Sequence, residues 1–483
     1  MIQISIVATV VCNFELDAND DQASEWLINS KATATGLGYA KFDAELVGPN
    51  GNVKVRIQDA HLAPYEGAQQ LDSYQRHPML RVLWKPVPSP GLMTDRGLTS
   101  YLKSVVEEPG DNLCDRTTSN LMSCLSIIGH KNPYSRVLEL GAGKFAKTAL
   151  EALSGNSIFP QLHSYTIAKF NDDNQLAGFN VDLQTGEPEG SEIIPPELQF
   201  DLIILPDSQE SGGHLVQRPK ELKARLGAWG SILAVSPPRG NIPLTKHGLV
   251  AIRSKSTKDQ EILFIHRMED VEIKVDSDAS TAPVLVVEYT PTTLGDIFVE
   301  EISRVTGRKP MRMLPGGVSK DTVSTKSQII SLLEINNSVL SVGSEFELSR
   351  IKVLTEQASR IMWVTAGNLL NSQTPDRSLM FGLSRAIMAE QPGLEFYVSD
   401  VDDLSAHLKR TARNILSIFT RTDPGIADRE FIQRDGVAHV SRFIPDDGLN
   451  EAFRRSQGAT VQLPLEQAQN VHLKSPQAVP ATN

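Results

Sequence analysis

The alternation of short apolar runs with helical stretches over residues 116–460 constrains the fold most tightly. RVLEL (136–140), SYTI (164–167), GFNVDL (178–183), FDLIIL (200–205) and GSILAV (230–235) read as short strands. TTSNLMSCLSIIGH reads as a helix with Thr118 or Ser119 as its N-cap, and PKELKARLGAWG as a helix closed by a glycine cap. The pattern then repeats. PVLVVEY, SRIMWVTAG and LEFYVSDVD are strands; DIFVEEISRVTG, RSLMFGLSRAIMAEQPG and LSAHLKRTARNILSIFTR are helices. Strand and helix in alternation favour parallel sheets with right-handed crossovers. The expected class is α/β, with two successive Rossmann-like units.

Ahead of them, residues 1–75 read as antiparallel β. Two alternating runs flank Asn50-Gly51, the strongest short hairpin signal, with Val53, Val55 and Ile57 on one face and Lys54, Arg56 and Gln58 on the other. Residues 76–115 read as linker, because Pro86, Pro88 and Pro90 disfavour regular helix; Arg81–Trp84 could add a strand. Residues 116–280 and 281–460 form the two α/β units, and the polar tail 461–483 reads as disordered.

Composition excludes several function classes. A formal net charge of −11 argues against nucleic acid or an anionic membrane as partner. No apolar run is long enough for a membrane helix, and the apolar N-terminus lacks a basic flank, so the expected location is cytoplasmic. Three widely spaced cysteines, Cys12, Cys114 and Cys124, fit reduced thiols better than disulfides or a zinc site, so no metal is expected.

The stretch LELGAGKFAKTAL (138–150) carries the clearest chemical signal. A nucleotide-like cofactor needs close backbone approach after the first strand, and Gly141 and Gly143 allow it. Phe145 opposes it by placing a ring where the ligand would sit, and Lys144 adds a cation. The alternative is a strand-to-helix turn that keeps two glycines for its own geometry.

GHKNPYSRVLELGAG (129–143), followed by FDLIIL and GAWGSILAV, resembles the C-methyltransferase domain of fungal highly reducing polyketide synthases. DAELVGPNGNVKVRIQDAHLAPYEG resembles the last strands of their dehydratase hot-dog, and MLRVLWKP the link after it. IMWVTAG and RSLMFGLSRAIMAEQPGLEFYVSDVDD resemble the structural half of their ketoreductase. The resemblance implies an S-adenosylmethionine (SAM) methyltransferase-like Rossmann domain, a second, truncated Rossmann-like domain and a half hot-dog segment.

It also implies site residues, most of which are altered. An acid after the second strand should hold the cofactor ribose, but Lys169 falls there, with Asp172 and Asp173 close by. Asp182 matches the adenine-edge position. The catalytic histidine position holds Glu210, with His214 four residues on, and Ser236 replaces the orienting glutamate. Gly141, Gly143 and Asp182 then mark a vestigial SAM site, with His214 and Glu210 as the candidate bases. The second unit lacks a glycine-rich dinucleotide turn, so no NADPH site is expected. The helical part that precedes the glycine turn in the family is expected to be largely deleted.

Three functions remain open. The first is an auxiliary or structural polyketide-pathway protein with neither methyltransferase nor reductase activity, partnered by an intact synthase through its hot-dog edge. The second is a cofactor-independent polyketide cyclase acting on an intermediate in the former methyltransferase pocket, with Phe145, Trp229 and His214 as walls or donors. The third is an active SAM-dependent C-methyltransferase. No cofactor is expected under the first two, and SAM under the third.

Overall fold

A computed structural model describes residues 6–10, 13–16, 27–34, 40–48, 52–64, 79–106, 116–153, 162–171, 173, 175–183, 186–205, 217–235, 243–254, 261–268, 283–306, 309–371, 374–402, 404–420 and 428–456. The chain divides into two compact units, Met1–Tyr65 with Trp84–Ser441 and Glu66–Leu83 with Arg442–Asn483.

The N-terminal strands are β1 (Ile6–Val10), β2 (Asn13–Leu16), β3 (Leu27–Ala34), β4 (Ala40–Val47) and β5 (Val53–Pro64). They form an antiparallel sheet in the order β1-β5-β4-β3, with β2 also pairing β5. Asn50-Gly51 itself lies outside the described residues, but β4 and β5 pair across it with Val47 opposite Val53, as a hairpin there requires. Lys54, placed on the polar face by alternation, is buried instead. Among the described residues strand β3 is an edge, paired only with β4.

Residues 76–115, expected as linker, contain β6 (Leu80–Pro86) and helix α1 (Asp95–Val106). The prolines end before Asp95, and Leu98 and Leu102 then recur at helical spacing and are buried. Each such leucine contributes roughly 2 kcal/mol of apolar burial. Helix α2 (Arg116–Lys131) starts early enough that Thr118 and Ser119 fall inside its first turn and do not cap it.

The first α/β sheet uses β7 (Ser135–Leu140), β8 (Leu162–Phe170), β9 (Leu176–Val181), β10 (Pro188–Ile193), β11 (Phe200–Leu205), β12 (Leu226–Val235), β13 (Leu249–Ser254) and β14 (Ile262–Arg267). Its order is β10-β9-β8-β7-β11-β12-β14-β13. Strands β8, β7, β11 and β12 run parallel, so the chain reverses direction at β7 and β11 as in a doubly wound Rossmann sheet. This is the methyltransferase-like arrangement the sequence implied. Helices α1, α2 and α3 (Ala146–Leu153) cover one face through Leu98, Leu121, Leu125, Phe145, Ala149 and Leu153. The other face is packed by Leu222 of helix α4 (Pro219–Arg225) with Leu244.

Two local expectations change. Helix α4 passes straight into β12 at Leu226, whose backbone is extended, so GAWG is not a glycine cap. The register slips there, with Phe200 opposite Leu226 but Leu202 opposite Ser231, making GAWG a bulge around Trp229 at φ 62°. Strand β9 runs antiparallel to β8, not parallel. The link from Phe170 to Leu176 is too short for a crossover, which takes about a dozen residues.

The second sheet is built from β15 (Val284–Val287), helix α5 (Thr293–Thr306), β16 (Met311–Met313), β17 (Ser327–Glu334), helices α6 (Val339–Val342) and α7 (Glu345–Gln357), β18 (Ala358–Thr365), helix α8 (Leu379–Glu390), β19 (Glu395–Asp400), helix α9 (Leu404–Phe419), β20 (Glu430–Arg434) and β21 (Val437–Pro445). Its order is β16-β15-β17-β18-β19-β20-β21-β6, parallel from β16 through β20. That is the other common doubly wound order, with its switch point between β15 and β17. The two α/β sheets are tied through α2. His130 Nε2 bonds the Val440 carbonyl at 2.9 Å, and Lys131 pairs with the buried Asp428. In the smaller unit, Asn450 of helix α10 (Asp447–Ser456) clasps the Met79 backbone at 2.9 and 2.8 Å. Among the described residues no helix is long and apolar enough to cross a membrane.

Candidate functional site

The glycine turn sits at the carboxyl end of β7. Gly141 N donates to the Ala168 carbonyl at 2.9 Å, holding the turn against β8. Gly141 has φ 132° and Gly143 φ 76°, and a Cβ on Gly143 would lie 2.7 Å from Ile167 Cδ1. Both glycines are therefore required by the protein's own backbone, whether or not a ligand approaches.

The acid of this turn faces inward. Glu139 is fully buried; its carboxylate accepts from Phe145 N at 3.0 Å and from the Tyr165 hydroxyl at 2.5 Å. Burial raises the Glu139 pKa, and these hydrogen bonds oppose the rise. The Phe145 ring does not project into a cofactor's place. It is 5% exposed and lies in the core beside Leu121, Leu125 and Tyr165. Apolar burial worth roughly 2–3 kcal/mol explains why the ring turns inward. Lys144 remains exposed, its Nζ 5.5 Å from that ring.

The other expected residues do not gather around the turn. Lys169 is exposed near the carboxyl end of β8, and Asp173 sits beyond it at the tip of the hairpin Asn171–Gln175. Asp182 is displaced. With Val181 opposite Tyr165, it lies at the amino edge of the sheet, whereas Gly141 bonds Ala168. Four residues of β8 separate those levels, on the order of 13 Å along the strand. The reversal of β9 is the cause. Trp229 also lies near the amino edge, beside the start of β11. Glu210, His214, Ser236 and Asp172 lie outside the described residues. Among the described residues, then, neither a SAM-binding set nor the cyclase walls Phe145 and Trp229 come together. The backbone of the turn fits a close-approaching ligand; of the acids expected to hold SAM, Asp182 stands at the opposite edge and Asp172 lies outside the described residues.

A different site appears where no motif pointed. At the switch point of the second sheet, a crevice of about 520 Å³ is lined by residues following β15 and β17, with Val342 and Glu347 completing the wall. Glu288, 2% exposed, directly follows β15. Its carboxylate accepts from Thr292 N at 3.0 Å, from Thr292 Oγ1 at 2.9 Å and from Arg312 Nε at 2.7 Å. Gly295 makes room for it, since a Cβ there would lie 2.6 Å from Glu288 Oε2. Glu347 accepts from the Tyr289 hydroxyl and from Ser344 Oγ at 2.9 Å, and its backbone N–H donates to Ser344 Oγ at 3.2 Å, which makes Ser344 the N-cap of α7. Behind them Glu334 is fully buried, holding Leu340 N at 3.4 Å and Trp363 Nε1 at 3.3 Å, and burial raises its pKa to about 7. Sequence reading missed β17 altogether. The available signal was the apolar run SQIISLLE entering the polar INNS, facing an acid placed four residues before a helix-starting threonine.

No family model matches the chain. Over 451 residues it is 33% identical to the highly reducing polyketide synthase anuA of Penicillium roqueforti, covering 92% of this chain and 21% of that protein. It is 28% identical over 456 residues to the highly reducing polyketide synthase srdA of Neurospora crassa, covering 93% of this chain and 18% of that one. The chain thus spans about a fifth of the length of the curated relatives it matches. Among solved structures, trans-methyltransferase CalH in complex with SAH aligns with a TM-score of 0.22 at 12% identity, over 34% of this chain and 60% of that one. Phosphoethanolamine N-methyltransferase 2 of Haemonchus contortus aligns with a TM-score of 0.20 at 9% identity, over 74% and 82%. At those scores neither neighbour bears on what this chain does.

Proposed function

From the premise that the chain is a homologue of fungal highly reducing polyketide synthases, we propose that it serves polyketide biosynthesis as an auxiliary, non-methylating protein. One observation carries the second half of that reading. The antiparallel β9 takes Asp182 to the amino edge of the sheet, away from Gly141 and Gly143. A SAM site needs its glycine turn and its adenine- and ribose-facing groups on one edge, outside the carboxyl ends of the strands. Here that edge offers the exposed Lys169, which has donors only where the two ribose hydroxyls want an acceptor, and its acid Asp173 lies beyond the strand at the hairpin tip. Glu139 is committed to the turn itself. No methyl-transfer step is therefore assigned.

An auxiliary role needs a docking partner, and the edge strand β3 supports one. Its side left unpaired among the described residues presents backbone donors and acceptors to an incoming strand. The partner in this reading is an intact polyketide synthase. The test is to mix the purified chain with a purified synthase of the same organism and follow both co-elution and methyl incorporation from labelled SAM. Co-elution without added methylation is expected. Methylation of a β-ketoacyl substrate by this chain alone overturns the reading in favour of an active C-methyltransferase.

A further inference from the structure

We propose that the crevice between β15 and β17 binds a nucleoside-like molecule: uncharged, hydroxyl-bearing and free of phosphate. Its place comes first. In a doubly wound sheet the connections leave in opposite directions at the switch point, which leaves an opening outside the carboxyl ends of the strands. The sheet order β16-β15-β17 puts that opening where the crevice lies. Its volume of about 520 Å³ falls within the range of small-molecule sites, roughly 300–1,000 Å³.

The lining then selects against anions. The start of α5 is where a phosphate would ordinarily find backbone N–H groups. Here the Glu288 carboxylate already takes the N–H and the hydroxyl of Thr292, and Gly295 is shaped around it. Glu347 adds a second carboxylate, and no Lys, Arg or His lines the crevice among the described residues. Arg312, the cation nearest to this set, is spent on Glu288 and Asp296. A phosphate or pyrophosphate would meet the Glu347 carboxylate, with Arg312 already shared between Glu288 and Asp296. Glu288 thus acts as the built-in anion of this fold and separates the site from dinucleotide sites.

The lining also selects for something. Asn336 and Asn337 are exposed, and their carboxamides hold no hydrogen bond among the described residues. A carboxamide offers donor and acceptor side by side, the match for the amino and ring-nitrogen edge of adenine. Thr290 adds a hydroxyl that holds no hydrogen bond among the described residues, and Leu332, Val339 and Tyr289 supply apolar and aromatic wall. A nucleobase with an unphosphorylated ribose uses all of these groups. The proposal does not depend on the fate of the glycine turn in the first sheet.

The test is calorimetric titration of the full chain with adenosine and, separately, with AMP. Saturable adenosine binding is expected, with AMP weaker by about tenfold or more. Asn336→Ala with Asn337→Ala should weaken adenosine by about tenfold while leaving the thermal midpoint unchanged, because both side chains are exposed. Glu288→Gln should narrow the gap between adenosine and AMP. Absence of adenosine binding, AMP binding as tightly as adenosine, or undiminished adenosine binding in the double asparagine variant would each overturn the proposal. The last result would move the nucleoside to the first sheet, and so separates this proposal from the reading of the glycine turn.

Discussion

The two α/β sheets solve one local problem in two ways. At the carboxyl end of each first strand stands a buried carboxylate, Glu139 one residue before the end of β7 and Glu288 one residue after β15, and each accepts from a backbone N–H of the turn that follows. Glu139 pairs with no cation among the described residues: its carboxylate accepts from the Phe145 N–H and the Tyr165 phenol inside the core. Glu288 is paired with Arg312 at the rim of an open crevice. In the first sheet the acid and Phe145 seal the turn into the protein. In the second the acid fills only the anion position and leaves the rest of the switch point open. Which acids line an edge thus matters less than whether they are already satisfied.

Removing each acid should break the two regions unequally. Glu139→Ala leaves a buried phenol and a buried N–H without partners, and we expect a loss of about 3 kcal/mol in urea unfolding. Glu288→Ala should cost less, about 2 kcal/mol, because Arg312 is 29% exposed and keeps Asp296. Equal losses would remove the distinction between sealed and open turns. Gly143→Ala should cost about 1–2 kcal/mol from the positive φ and the contact with Ile167.

The remaining effect is a pH slope. The Glu334 pKa is raised from 4.5 to about 7 in the fold, so the folded state binds more protons than the unfolded state between those values. Its contribution is complete below pH 4.5 and is lost as the pH rises through about 7. Wild type should therefore lose about 3 kcal/mol relative to Glu334→Gln between those limits. Parallel stability profiles for the two proteins would contradict that assignment.

Much of this fold was legible. RVLEL, FDLIIL, GSILAV and PVLVVEY are apolar runs that only a buried strand accommodates, and all four are strands. The direction of β9 was not legible from its composition, since GFNVDL would suit either sense. The length of the link from Phe170 carried that information, and with it the fate of Asp182. Phe145 was ambiguous because a ring after a glycine turn can project or sink, and the contacts that decide come from Leu121 and Leu125, more than 19 residues away. The crevice was hidden for a different reason. Glu288, Asn336 and Glu347 are ordinary surface residue types in sequence, and only the pairing of β15 with β17 brings them together.

The central claim is that the glycine turn no longer holds SAM. The direct measurement is a calorimetric titration of SAM into the Asn336→Ala, Asn337→Ala variant, so that heat from the crevice does not enter. No saturable binding at micromolar SAM is expected. A micromolar Kd, about −8 kcal/mol, abolished by Gly143→Ala, would contradict the account and restore the first sheet as a methyltransferase site.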